Sequence, residues 1–323
     1  MNNINLGYAC INMQLSCPQQ WGNQPRGVER ITTNRTMIRR TFDERGLPYA
    51  SELALKNCRD LLKILQWNEA HDIKFFRLTS NMFPWASEYN LSDLPDFNAI
   101  RDALQAAGDF VRLHEHRITS HPGPFNKLTS PNERVILNTI RDLDHHGEVF
   151  DMLGLSRTPY NKLNIHVGAH YNNKPMALAN FNKNFHRLSE GAKSRLTVEN
   201  DDKASLYSTK ELHDEVYLKI GIPVVHDLHH HTFCTGGLDQ EEALLTAAMT
   251  WGDIKPVVHY SQSRSVEHDD PKIRANAHSD SYWTPVNTCG LDVDVMLECK
   301  HKEIGLYAMR DLLAKGGVLV ERT

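Results

Sequence analysis

Pro223-Val224-Val225-His226-Asp227, followed directly by Leu228-His229-His230-His231, is a short β-prone run that ends in a crowd of metal-competent side chains. A strand alternates its side chains between two faces, so Asp227 and His226 point in opposite directions, and His230 follows Asp227 three residues on. The same design recurs on both sides of this stretch. Leu196-Thr197-Val198-Glu199 ends in a carboxylate, and the run Pro256 to Tyr260 carries His259 at its end. Five further runs complete the set: Ile4 to Ile11, Ile73 to Leu78, Arg117 to Ser120, Leu163 to Val167 and Val293 to Cys299. Most recur at intervals of roughly 30 to 45 residues, the unit length of a barrel built from eight β/α repeats. Segments of helical period lie between them, the signature of a parallel sheet with helical crossovers. The expected fold is therefore α/β, a single TIM-type (β/α)8 barrel domain over residues 1–323.

The crossover segments carry their own start signals. Ser130-Pro131-Asn132-Glu133, Ser208-Thr209-Lys210-Glu211 and Asp239-Gln240-Glu241-Glu242 each place a capping side chain three residues before a carboxylate. Behind them come apolar stripes such as Ile136, Ile140 and Leu143, or Leu178, Phe181, Phe185 and Leu188. Gly191, and Gly316 with Gly317, mark expected helix ends. Two long polar stretches, Ser16 to Arg30 and Ser261 to Thr284, read as loops after the first and seventh strands. No Pro- or Ser-rich linker interrupts the chain, which favours one domain over two.

Composition narrows the chemistry. The chain has 323 residues, 40% of them hydrophobic and 24% charged, as in an ordinary globular protein. It shows neither a long apolar span nor a basic-then-apolar N-terminal leader, so an intracellular protein with no membrane association is expected. Six cysteines without a Cys-x-x-Cys pair argue against a zinc finger and suit reduced thiols. A formal net charge of −4 lacks the footprint of a general polyanion binder, so contact with nucleic acid must be local or assisted by metal. Histidine is the anomaly, with eighteen in the chain.

In β/α barrels the loops after the strands converge on one mouth, so what ends each strand matters most. Here the ends supply His121 after the third run, His166 at the fourth, Glu199 at the fifth, Asp227 and His230 at the sixth, His259 at the seventh and Glu298 on the eighth, and the seventh loop adds His278. Any one of these has a bland explanation as a packed histidine or a loop-capping carboxylate. Six successive strands doing the same is not coincidence. Imidazole with carboxylate suits zinc, manganese or iron, the absence of cysteine from the set argues against a structural zinc site, and two or three divalent ions are expected. Such a cluster activates water and stabilises charge on a phosphoryl oxygen, which matches phosphodiester hydrolysis. Glu199 and Glu298 are the expected catalytic carboxylates. The remaining histidines, among them His114, His116, His145, His146, His229 and His231, read as structural or solvated. Arg26, Arg30, Arg35, Arg39 and Arg40 suit either DNA phosphates or a solvated face, and Trp85 either a base-stacking surface or rim packing.

Several stretches together carry a resemblance: Leu6-Gly7-Tyr8-Ala9-Cys10, Thr33-Asn34-Arg35-Thr36, Phe83-Pro84-Trp85-Ala86-Ser87, Ser120-His121-Pro122-Gly123, Leu196 to Asp201, Asp227-Leu228-His229-His230 and His278-Ser279-Asp280. The chain resembles the UV damage endonuclease family of metal-dependent β/α barrels, related in fold to apurinic endonucleases. The resemblance implies a DNA repair nuclease that acts on damaged double-stranded DNA with a manganese-type cluster; zinc or magnesium are the alternatives, and a monomer is expected. It would nick immediately 5′ to a photolesion and leave a 3′-hydroxyl and a 5′-phosphate. It also implies a distribution of ligands: His121, His166 and Glu199 at one ion, Glu199, Asp227, His259 and Glu298 at a second, His230 and His278 at a third. Tyr8 and Asn12 match positions beside the lesion, and Phe125 matches the duplex-probing position. The chain departs from the family pattern in having Pro124-Phe125 where Gln and an aromatic are usual, which implies an apolar wedge. It also has Val257 where a Lys commonly stands, which implies a different metal preference. Two rival readings are a sugar isomerase of the same architecture and a non-catalytic metal- or DNA-binding protein. The first would rely on carboxylates more than histidines, and the second would leave no coordination position open to water.

Overall fold

The computed structural model describes residues 4–315. Eight strands, β1 (Asn5–Ala9), β2 (Phe75–Leu78), β3 (Arg117–Ser120), β4 (Leu163–His166), β5 (Leu196–Glu199), β6 (Val224–Asp227), β7 (Val257–Tyr260) and β8 (Asp294–Leu297), follow one another in chain order as a closed barrel. This is the TIM-type (β/α)8 architecture. Each strand lies within the run expected for it, and β3 and β5 match it to the residue. By its contacts the chain divides into two compact units, one of Cys10–Thr197 and one of residues up to Ala9 together with Val198 onward.

In the Cys10–Thr197 unit, β2 pairs with β3 from Phe75↔Arg117 to Leu78↔Ser120, and β3 meets β4 at Ser120↔Leu163. The helices are α1 (Met13–Ser16), α2 (Arg39–Ala70), α3 (Phe97–Leu113), α4 (Glu133–Met152), α5 (Lys174–Phe185) and α6 (Glu190–Lys193). Helix α2 is broken at Gly46, whose φ of 62° is a conformation that only glycine adopts cheaply, with Pro48 two residues on. Ile136 and Leu143 of α4 and Leu178, Phe181 and Phe185 of α5 are buried as their spacing requires. Two expectations need correction. The cap of α4 is Asn132, whose side chain accepts the Arg134 amide, while Ser130 turns the chain one step earlier, its Oγ accepting the Asn132 amide at 3.1 Å. Gly191 lies inside α6 and marks no helix end. Its presence there is steric, since it and Gly147 of α4 pack backbone to backbone. A Cβ added at Gly147 would sit 2.7 Å from the Ala192 nitrogen. The wholly buried Arg195 closes this corner, donating to the carbonyls of Leu155, Ser156 and Gly191 and pairing with Asp151 at 2.9 Å.

In the second unit β1 pairs with β8 and β8 with β7, Asn5↔Asp294 and Val257↔Asp294 setting the register, while β6 joins β7 through Asp227↔His259 and β5 through Glu199↔Val225. Val224, Val225, Val257, Val258, Val295, Met296 and Leu297 are all buried, as befits parallel strands covered on both faces. Each such side chain contributes about 1.5–3 kcal/mol relative to exposure. The helices here are α7 (Thr209–Leu212), α8 (Leu218–Ile220), α9 (Leu228–His231), α10 (Gln240–Met249), α11 (Arg264–Glu267) and α12 (Lys302–Ala314). Capping boxes at Ser208 and Asp239 start α7 and α10 as expected. Glu298 is corrected by one position: β8 ends at Leu297, and Glu298 is the first residue past it, its amide still donating to the Tyr260 carbonyl at 2.9 Å. The Gly316-Gly317 expectation lies outside the described residues. Among these, no helix is long and apolar enough to cross a membrane.

Candidate metal centre

At the C-terminal ends of β5 to β8 the sequence places four acidic or imidazole side chains, and the structure brings them together. Glu199, Asp227 and His230 form one group whose ligand atoms all lie within 4.8 Å of one another, and Asp227, His259 and Glu298 form another. His259 Nδ1 stands 3.1 Å from Glu199 Oε2 and 3.1 Å from Glu298 Oε1. His230 Nδ1 lies 3.4 Å from Glu199 Oε1. His278, supplied by the loop after β7, reaches Glu298 Oε2 at 3.6 Å. The carboxylates of Glu199 and Asp227 are buried.

Local backbone chemistry aims these groups. Asp227 caps α9: its Oδ1 accepts the amides of both His229 and His230 at 2.8 Å, so one oxygen is held by the helix start. Its other oxygen, Oδ2, is buried and makes no hydrogen bond among the described residues, with His230 Nε2 3.9 Å away. A buried carboxylate oxygen left so would be costly on its own, by about 1–3 kcal/mol or more, and a bound cation removes that cost. The histidines are oriented through their Nδ1 atoms. His230 Nδ1 lies 3.0 Å from the Asn200 carbonyl and His278 Nδ1 3.1 Å from the Glu298 carbonyl. A carbonyl only accepts, so each Nδ1 is the protonated nitrogen and each Nε2 keeps the lone pair that a metal ligand needs. The donor set therefore fits divalent ions, and when bound these would supply Lewis acidity and an activated water.

In the Cys10–Thr197 unit His121 follows β3 and His166 ends β4, with ring centroids 5.4 Å apart. His121 Nδ1 faces the Pro122 carbonyl at 3.2 Å. Of the residues read as substrate-binding, Tyr8 is wholly buried in β1, Asn12 is buried and caps α1 by accepting the Leu15 amide at 2.9 Å, and Phe125 is 89% exposed. Val257 is buried in β7.

The other histidines divide by environment. His226 does point away from Asp227: its ring meets Thr209 Oγ1 at 2.9 Å and Gln240 Nε2 at 2.7 Å, and burial pushes its pKa down to about 3. His229 is buried 6.0 Å, ring to ring, from His278, with burial again lowering its pKa and its Nε2 making no hydrogen bond among the described residues. Three of the arginines are engaged within the fold, Arg35 with Asp60, Arg39 with Asp43 and Glu88, and Arg40 with Glu44. Trp85 donates to the Met37 carbonyl. Sequence reasoning missed the supporting residues, above all Asn200, whose side chain is locked to the Asp227 backbone. Its place beside Glu199 was visible, but its partner was not.

The comparisons with known proteins agree on one family. The family described as UV-endonuclease UvdE matches residues 4–319. A UV-damage endonuclease of Schizosaccharomyces pombe is 33% identical over 318 residues, covering 94% of this chain and 50% of that protein, so the chain spans about half the length of that relative. A UV DNA damage endonuclease of Bacillus cereus (strain B4264) is 31% identical over 321 residues, covering 96% of this chain and 95% of that protein. Among solved structures, SacUVDE superposes with a TM-score of 0.80 at 28% identity, covering 98% of this chain and all of that one. A D-tagatose 3-epimerase-like protein, at 15% identity and a TM-score of 0.54 over 77% of this chain and 90% of that chain, shares the fold alone. On the span of the family match and on likeness to relatives along nearly its full length, the chain belongs to the UV-endonuclease UvdE family.

Proposed function

We propose that this chain, acting as a single barrel domain and a monomer, is an intracellular metal-dependent endodeoxyribonuclease that hydrolyses the phosphodiester bond immediately 5′ to UV photolesions in double-stranded DNA. The products are a 3′-hydroxyl and a 5′-phosphate. The observation that carries the reading is the convergence of Glu199, Asp227, His230, His259 and Glu298 at the ends of four adjacent strands, with Asp227 Oδ2 buried and unsatisfied. Relatives along the whole chain named as UV-damage endonucleases supply the substrate class.

In this reading Glu199, Asp227, His259 and Glu298 would hold one divalent ion and His230 and His278 another, while His121 and His166 are the proposed ligands of the Cys10–Thr197 unit. Manganese is the preferred ion, zinc or magnesium the alternatives. The ions would generate a hydroxide near neutral pH and neutralise charge building on the phosphoryl oxygens. The residues of the chain do the positioning. Glu199 and Glu298, on either side of His259, hold negative charge where cations and a water proton are received. Asp227, clamped by two amides, keeps one oxygen aimed into the cluster. Phe125, strongly exposed just past His121, would enter the duplex as an apolar wedge, and Tyr8 and Asn12, both buried, would be met only by a lesion drawn out of the duplex into the protein.

Purified protein supplied with Mn2+ is expected to convert UV-irradiated supercoiled plasmid to nicked circles and to leave unirradiated plasmid intact, with Glu199→Gln inactive. Irradiated plasmid that survives uncut across Mn2+, Mg2+ and Zn2+ would refute the proposal.

A further inference from the structure

The loop after β7 brings Tyr282 to the cluster from behind. Its hydroxyl donates to the Tyr260 carbonyl at 3.0 Å and accepts the Cys299 amide at 3.1 Å. Tyr260 is the neighbour of His259, and Cys299 is the neighbour of Glu298. The β7–β8 ladder has its last bond between these strands where the Glu298 amide meets the same Tyr260 carbonyl. One phenol oxygen thus continues the ladder by a further step, beyond the point at which the strands end, and brackets two members of the metal-competent group. Its ring stacks on Tyr260, centroids 5.5 Å apart at 13°, and the residue is buried. The same loop delivers His278, tied by its Nδ1 to the Glu298 carbonyl, and Ser279 and Asp280 accept the amides of Lys300 and His301.

We propose that Tyr282 is a positioning residue that fixes the backbone spacing of His259 and Glu298 and, through the short segment from His278 to Tyr282, the approach of His278. The inference rests on the cluster being a metal centre. Removing the hydroxyl while keeping the ring leaves the Cys299 amide, in a buried backbone, without its acceptor and lets the ends of β7 and β8 relax apart. Partners that hydrogen-bond a ligand directly typically change metal affinity by about 10- to 100-fold when lost, and Tyr282, acting one residue further out, is expected at the lower end.

Tyr282→Phe is the test, and Thr250→Val is its matched control. The Thr250 hydroxyl is also buried, also accepts one backbone amide (Val224, 2.9 Å) and also donates to one carbonyl (Ala247, 2.6 Å), but at the opposite end of β6. Mn2+ affinity is measured by calorimetric titration of the metal-free proteins, and Co2+ substitution reports ligand geometry through its visible spectrum. The expected result is a roughly ten-fold or greater loss of Mn2+ affinity with an altered Co2+ spectrum in Tyr282→Phe, and wild-type values in Thr250→Val, whatever each variant loses in thermal stability. Wild-type metal binding by Tyr282→Phe, or equal losses in both variants, overturns the assignment. Absence of binding by the wild-type protein would instead overturn the metal centre on which it rests.

Discussion

The Asn200 side chain and the Asp227 backbone grip each other reciprocally: Oδ1 of Asn200 accepts the Asp227 amide at 2.7 Å, and Nδ2 donates to the Asp227 carbonyl at 3.0 Å. Both residues are wholly buried, and the Asn200 carbonyl also takes His230 Nδ1. One asparagine therefore fixes a carboxylate and an imidazole of the cluster at once. Asn200→Leu keeps the volume and strands both backbone groups. Its expected cost is about 1–3 kcal/mol of stability for the unsatisfied amide, with about a 10- to 100-fold loss of Mn2+ affinity. Denaturant unfolding and calorimetric Mn2+ titration check the two arms. A variant that binds Mn2+ as tightly as wild type would show that the grip does not position the ligands.

What made the barrel legible is its strands. Val224-Val225 or Val257-Val258 are β-branched, buried on both faces and bounded by prolines at 223 and 256, so periodicity, length and punctuation all agree. The opposed directions of His226 and Asp227 follow from a period of two, and the side chains that cluster followed from asking what ends each strand. Asn200 and Tyr282 were not legible, because their roles are contacts to backbone atoms 27 and 17–22 residues away, and no local pattern encodes such a partner. The cap of α4 was misplaced for a smaller reason: Ser130 and Asn132 both have the chemistry and each accepts the amide two residues on, and the helix starts only after the second of them.

The cluster crowds carboxylates that only cations reconcile. Glu199, Asp227 and Glu298 repel one another in a poorly solvated site. Mn2+ is therefore expected to raise the melting temperature of metal-free protein, by about 2.7 kcal/mol of stabilisation when its concentration is 100-fold above Kd. EDTA should reverse the effect. In Glu199→Gln the metal-free protein is expected to melt at or above the wild-type temperature while the Mn2+ response is lost. Differential scanning fluorimetry with and without Mn2+ reads both. A Glu199→Gln protein that keeps the full Mn2+ shift would remove Glu199 from the centre.

His145 of α4 packs edge-on against Phe83, and burial, reinforced by His146 and Arg141, pushes its pKa from 6.5 down to about 3. The sign follows from linkage. Between pH 6.5 and 3 the unfolded chain binds a proton at this position that the folded chain refuses, so stability is fully present above pH 6.5 and falls as pH drops toward 3. One such group supplies a slope of at most about 1.4 kcal/mol per pH unit. His145→Leu should flatten the slope of stability between pH 6 and 4 relative to wild type, measured by urea unfolding at each pH. An unchanged slope would mean that other groups set the acid sensitivity.

Phe125 is the most exposed of the large apolar residues described, and nothing in the fold explains that exposure. Truncating a side chain that packs against so little should leave the unfolding free energy within about 0.5 kcal/mol of wild type. If it serves as a wedge, it acts only when DNA is present. An inserted ring replaces the stacking that an opened duplex loses, a contribution of about 1–3 kcal/mol by analogy with base–aromatic stacking, or about 5- to 150-fold in affinity. Phe125→Ala is therefore expected to bind Mn2+ normally, to weaken binding to a duplex with a defined photolesion by a factor in that range, and to change binding to undamaged duplex little. Phe125→Trp should retain lesion binding, since it keeps a π-face. Fluorescence anisotropy with lesion-bearing and undamaged duplexes separates these outcomes. Equal lesion affinity in Phe125→Ala and wild type would leave the exposed ring without a role in recognition.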